Sequence, residues 1–140
     1  MIRAAWAILA MLEAGAAHAE DGCAHAIVAR AMSPDRAWRA DVDEARCGAG
    51  PYATDVTAQV RLAPAGRPGK PSVVLGLDNA GKKEDRPRLE WAGPALLQVT
   101  VPNLSFLKIV TQHIGPVAVQ LRFDPPDPAA RAAWLKQHGL

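Results

Sequence analysis

The stretch Thr54-Asp55-Val56-Thr57-Ala58-Gln59-Val60-Arg61-Leu62 decides the fold class: Thr54, Val56, Ala58, Val60 and Leu62 alternate with Asp55, Thr57, Gln59 and Arg61. Successive side chains of an extended chain point to opposite faces, so this pattern predicts a strand with one dry side and one wet side. Upstream, Trp38, Ala40 and Val42 alternate with Arg39, Asp41 and Asp43 in the same way. Cys47-Gly48-Ala49-Gly50-Pro51 breaks the chain between the two runs, which can therefore pair as a hairpin. Ser33-Pro34-Asp35-Arg36 before them has the composition of a tight turn, the proline fixing φ and the aspartate able to bond the local backbone. Ala24 to Met32 carries Ile27, Val28 and Met32 and is read as a strand, although so short a run does not separate strand from helix by period.

Working towards the C-terminus, Pro64 to Pro71 is a loop by its proline and glycine content, and Val73 to Leu77 is a short apolar strand. Asp78 to Pro87 holds Lys82, Lys83, Glu84, Asp85 and Arg86 and is expected to be a solvated loop. Leu89 and Trp91, the Gly93-Pro94 turn, and alternating Leu97, Val99 and Val101 predict a second hairpin. Leu104 to Val110 is apolar without a clear period, whereas Val117, Val119, Leu121 and Phe123 mark a last strand. Asp127-Pro128 then offers an N-cap and a proline at the first helical position, and Gly139 a stop. A helix over 128–138 follows, with Ala130, Trp134 and Leu135 as its buried stripe. The expected fold is mainly β: a single antiparallel sandwich or partly open barrel with one C-terminal helix. No repeat at fixed spacing suggests a solenoid or propeller.

The first residues point to a place. Arg3, the apolar run Ala4 to Leu12 and the small residues of Ala17-His18-Ala19 follow the order of a cleavable signal peptide over 1–19. The run is roughly half the ~20 apolar residues that a membrane-spanning helix needs. Residues 20–140 are expected to form one domain in the periplasm or outside the cell, with no stable membrane span. The formal charge is +2 with acids and bases intermixed, which gives no electrostatic case for nucleic acid. Cys23 and Cys47 are the only cysteines, and an even count in an exported chain reads as one disulfide. A lipid-anchored Cys23 or two free thiols are the alternatives.

Ser33-Pro34-Asp35-Arg36-Ala37-Trp38-Arg39-Ala40, followed by Arg46-Cys47-Gly48, resembles a family of small exported bacterial proteins of unknown function. That pattern runs Ser-Pro-Asp-Gly, a basic and an aromatic residue, then a strand ending in Asp-Cys-Gly. Thr54 to Leu62 and Leu89 to Val101 are similar to later strands of that family, so the resemblance covers most of residues 23 to 123. Arg36 stands where the family has its turn glycine, and Arg46 where it has an acid. The resemblance implies fold and location and carries no catalytic residues. The Ser-Pro-Asp turn before an aromatic strand is also similar to single blades of exported propeller proteins, but one blade cannot make a propeller.

The candidate chemistry is sparse. Beyond residue 19 the histidines are His25, His113 and His138, with no His pair at helical spacing and no Cys-x-x-Cys. Cys23-Ala24-His25 places both side chains on one strand face and is the nearest approach to a metal pattern. Ser33, Ser72 and Ser105 lack a nucleophile-elbow context, and Thr111-Gln112-His113 reads as an exposed polar turn. Asp41, Asp43, Glu44 and Asp55 could supply paired carboxylates, yet on alternating strands they are expected to face outward as solvated charges. No catalytic residue, cofactor or metal is assigned. The expected role is a non-enzymatic module that binds another envelope or secreted protein, as an inhibitor, immunity or accessory protein; a small envelope hydrolase is the alternative. The loops Ala63 to Pro71 and Asp78 to Arg88 are long for the domain and are where binding is expected.

Overall fold

A computed structural model describes residues 22–48, 55–79, 82–104, 107–137 and 139. The expected signal peptide, Ser105 and His138 lie outside these residues. Two sheets are formed and are not closed into a barrel, so the mainly β sandwich with one C-terminal helix is the observed class. In the first sheet the strands are β1 (Cys23–Met32), β2 (Trp38–Cys47), β3 (Asp55–Pro64), β4 (Ser72–Asn79) and β7 (Leu107–Val110), neighbours in that order. The second sheet holds β5 (Arg88–Gly93), β6 (Leu96–Val101), β9 (Val117–Phe123) and β8 (His113–Ile114).

Both expected hairpins are present. β2 pairs antiparallel with β3 from Trp38↔Pro64 to Cys47↔Asp55, and β5 pairs antiparallel with β6. The segment 24–32 also resolves as a strand, paired along β2 with a bulge between Ile27 and Ala29. One ladder is parallel: β6 and β9 run side by side from Leu96↔Ala118 to Val101↔Phe123. A parallel pair needs a crossover, and here the chain leaves β6, lays β7 on the other sheet, and returns through the two-residue strand β8. His113, expected in a turn, opens β8.

The dry faces meet as the alternation requires. Ala40 and Val42 of β2, Ala58, Val60 and Leu62 of β3, Val74 and Leu75 of β4, and Leu97, Val99 and Val101 of β6 are all buried. These are small and branched aliphatics that suit a pleated surface. Larger side chains close the rim: the rings of Trp38, Trp91 and Phe123 and the side chain of Leu89 are half-buried against the core. Trp91 Nε1 donates to the Ala31 carbonyl at 3.3 Å, which ties β5 to the edge of β1 and so joins the sheets along one side. The Trp38 ring reaches the β8–β9 turn, where a Cβ on Gly115 would lie 3.6 Å from it. Gly115 has φ +56°, so this turn needs glycine for its backbone.

Cys23 and Cys47 face each other across the β1–β2 ladder, Cα–Cα 4.2 Å, and form a disulfide at the open end of the hairpin. The closed end is the Ser33 turn. Arg36 N–H donates to the Ser33 carbonyl at 2.8 Å, and Ser33 N–H to the Trp38 carbonyl at 2.9 Å. The buried Ser33 hydroxyl donates to Asp35 Oδ1 at 2.6 Å and accepts from Trp38 N–H at 2.9 Å. The hydroxyl bond and the Ala37 N–H hold the Asp35 carboxyl below its ordinary value. Arg36 has φ 58°, the left-handed conformation that glycine supplies at no steric cost.

Two expectations are corrected. The loop before β5 is not solvated throughout: Lys82, Lys83 and Glu84 are exposed, but a 3-10 turn over Lys83–Asp85 leads to half-buried Arg86 and buried Pro87. Glu44, an acid on the core side of β2, draws Arg86 in. The helix α1 (Pro128–Gln137) starts as read, with Asp127 Oδ1 accepting from Ala129 N–H at 2.9 Å. Its expected stripe does not form, because α1 lies against one strand end rather than across a sheet. Ala130 is exposed, Trp134 and Leu135 are only half-buried, and docking rests on Trp134 against Phe123, ring centroids 4.5 Å apart.

Candidate functional site

The outer face of the first sheet follows from the register of three ten-residue strands. Residues directly opposite in an antiparallel ladder share a face. Met32 lies opposite Arg39; Arg30 opposite Asp41, itself opposite Arg61; and Ile27 opposite Asp43, itself opposite Gln59. This face is not the solvated array expected of it. Asp41 and Asp43 point away from the core, as the alternation requires, but they are 6% and 4% exposed. Guanidinium groups from three strands cover them. Arg30 Nε donates to Asp41 Oδ1 at 2.7 Å, and Arg39 Nε lies 3.0 Å from Asp41 Oδ2. Arg61 Nη2 and His25 Nδ1 lie 2.9 Å and 3.3 Å from Asp43 Oδ2. The hydrogen bonds that Arg30 donates to Asp41, together with the carboxylate's charge, hold the guanidinium above its ordinary value.

Exposure decides what this face shows to solvent. The side chains of Arg30, Arg39 and Arg61 are 52%, 35% and 32% exposed, against 8% and 5% for Asp41 and Asp43. The carboxylates fix the guanidiniums from below, and the surface presents the cations. Ile27 and Met32 stand among them, 49% and 42% exposed. Arginine and methionine are enriched at protein interfaces, and pre-fixed side chains lose little further freedom on binding.

Glu44 belongs to the opposite face of β2. Its parity is that of Ala40 and Val42, and it is 2% exposed, so the expectation of a solvated charge fails here as well. Arg86 donates to it through Nε at 2.8 Å and Nη2 at 3.3 Å, and Arg46 through Nη2 at 3.0 Å. Burial alone would raise the carboxyl, but the two guanidiniums outweigh it and hold Glu44 below its ordinary value. This cluster pins the loop to the end of the sandwich. Asp55, by contrast, is exposed at the start of β3.

On the second sheet, Arg88, Thr100 and Arg122 form one row across β5, β6 and β9, and Glu90, Gln98 and Gln120 form the next. Gln98 Nε2 donates to Gln120 Oε1 at 2.8 Å, and Arg122 Nη1 to Gln98 Oε1 at 3.4 Å. Asp124, just past β9, lies 2.6 Å from Arg88 Nη2 and 3.8 Å from Arg131 Nη1 of α1. The row and the helix bound an open cleft of about 600 Å³. His113 sits apart, exposed beside a depression of about 550 Å³ that it shares with Leu96, Val110 and Gln120 and no carboxylate.

The structure thus brings His25 to Asp43, sets Asp41 further along the same face, and leaves His113, Asp55 and Ser72 scattered. The Cys23-Ala24-His25 pattern holds no metal arrangement, since Cys23 is in the disulfide and His25 turns to Asp43. Among the described residues no three His, Cys, Asp or Glu side chains converge as metal ligands. Sequence reading missed Arg30, Arg39 and Arg61 as site residues. The signal was there in Arg39-x-Asp41-x-Asp43 and Arg61, basic and acidic residues at one parity on two strands expected to pair. These features define the class as a two-sheet, disulfide-stapled β protein with a cation-presenting sheet face. No family model, curated protein or solved structure matches the chain.

Proposed function

We propose that this is an exported, non-enzymatic module that binds another envelope or secreted protein through the outer face of β1, β2 and β3. The observation that carries the reading is the pairing of exposed Ile27 and Met32 with guanidiniums fixed by buried Asp41 and Asp43. Apolar anchors among oriented arginines are what a protein partner uses, and outward positive charge calls for an acidic one. Export is compatible with the disulfide, and among the described residues no helix is long and apolar enough to cross a membrane. Membership of the exported family that the Ser-Pro-Asp turn resembles is part of the same proposal. Arg36 in the left-handed conformation supports it, because that is where the family pattern places glycine.

The test compares the oxidised protein with an Ile27→Glu/Met32→Glu variant, which puts acids on the face while keeping every arginine and aspartate of it. Capture from an envelope extract should retain an acidic protein at stoichiometric level, weakened by salt and lost with the variant. A partner held equally by both proteins, or no acidic partner, overturns the reading. His113→Ala and Asp55→Asn should leave the binding unchanged.

A further inference from the structure

We propose that the cleft between the second sheet and α1 is a binding site for a small, multiply charged oxyanion, such as a phosphate monoester or a polycarboxylate. It is a second site, on the opposite sheet from the proposed protein-binding face. Three guanidiniums, from Arg88, Arg122 and Arg131, border the cleft together with two carboxylates, from Glu90 and Asp124. The balance of charge is therefore positive. Neighbouring strands lie ~4.8 Å apart, so the Arg88, Thr100, Arg122 row sets two guanidiniums about 10 Å apart at the backbone with a hydroxyl between them. Guanidinium forks match the geometry of carboxylate and phosphate oxygens.

Asp124 shows how an anion would sit. Its carboxylate already bridges Arg88 and Arg131, contributed by a strand and a helix remote in sequence, and so occupies the place of an incoming oxyanion. That internal pairing is displaceable. Arg88, Arg131 and Asp124 are 68%, 56% and 50% exposed, and ion pairs so open to water are weak. Among the described residues Arg122 makes one long bond, to the neutral amide of Gln98, which leaves its other donors for a ligand. Glu90, one row along, can accept from a hydroxyl or amine on the same molecule.

The two variants move binding in opposite directions. Asp124→Asn frees Arg88 and Arg131 and should tighten oxyanion binding roughly threefold or more, a gain that misfolding cannot produce. Arg122→Gln removes a charge-assisted donor and should weaken it roughly tenfold. The measurement is a titration of the full chain with inorganic phosphate and with citrate at constant ionic strength, following backbone amide and arginine Nε–H resonances. Saturable shifts at Arg88, Thr100, Arg122 and Arg131 are expected, and the stronger titrant tells phosphate from carboxylate preference. Shifts no larger than chloride gives, shifts centred on Arg30, Arg39 and Arg61, or affinities unmoved by both variants overturn the proposal. The protein-binding reading concerns the other sheet and survives or fails on its own test.

Discussion

Removing Arg86 should destabilise the protein more than removing Glu44, and removing both should cost less than either single change. Glu44 is 2% exposed while Arg86 is 28% exposed. Arg86→Met therefore strands a buried carboxylate with the half-exposed Arg46 as its remaining partner. Breaking a buried pair in this way costs about 3 kcal/mol. Glu44→Met leaves a guanidinium that can turn to water, at about 1.5 kcal/mol. The double replacement puts apolar chains of similar length at the sandwich end and should cost about 1 kcal/mol or less, a coupling of about 3.5 kcal/mol. Urea unfolding followed by tryptophan fluorescence reads all four proteins, and the Arg86→Met melting temperature should fall by about 12 °C. The pH dependence carries the sign. In the native protein Glu44 is held below its ordinary 4.5, so its contribution is present above that pH and is lost as pH falls through the folded value. In Arg86→Met, burial prevails and the carboxyl rises above 4.5, so its penalty is present at pH 7 and relieved on acidification. The gap between the two proteins should narrow from pH 7 to pH 4. A cost under about 1 kcal/mol for Arg86→Met, additive single changes, or a gap independent of pH refutes the reasoning.

Arg36→Gly should stabilise the protein by about 0.5–1 kcal/mol, because relief of a left-handed side chain exceeds the extra unfolded-state freedom of glycine; an unchanged or lowered urea midpoint contradicts this. Reducing the Cys23–Cys47 disulfide should cost about 3–4 kcal/mol, the chain entropy of a loop of roughly 25 residues, read as the shift in unfolding free energy with and without reductant.

The strands were legible where one side of the chain is dry. Val56 to Leu62 and Val117 to Phe123 alternate because their apolar halves line one core, and the pattern survives whatever their neighbours are. Pairing was legible only for strands adjacent in sequence. The parallel β6–β9 ladder joins strands whose connection passes through the other sheet, and no local pattern encodes that. The Arg88, Thr100, Arg122 row depends on that ladder and was hidden for the same reason. Asp41 and Asp43 were assigned the correct face but the wrong solvent exposure. Alternation reports direction, whereas their burial comes from side chains on their own strand and its two neighbours. Glu44 was legible in principle: it continues the inward parity of Ala40 and Val42, and its charge, not its position, led to the solvated reading. The helix stripe failed because spacing cannot say whether a helix has a sheet to lie on.

These buried acids suggest how so plain a core supports a defined surface. The interior consists of alanine, valine and leucine, with the rings at its rim, and such side chains specify volume better than they specify register. A one-residue slip of β1 along β2 would reverse its faces, setting Arg30 against the core and leaving Asp41 with Arg39 alone. A slip of β2 against β3 would separate Asp43 from Arg61 in the same way. The disulfide at one end of the hairpin and the Ser33 turn at the other fix the same register independently. The ion pairs of the outer face then serve two ends at once: they penalise every alternative pairing of the three long strands, and in the native pairing they hold the arginines in the orientation the proposed partner would meet.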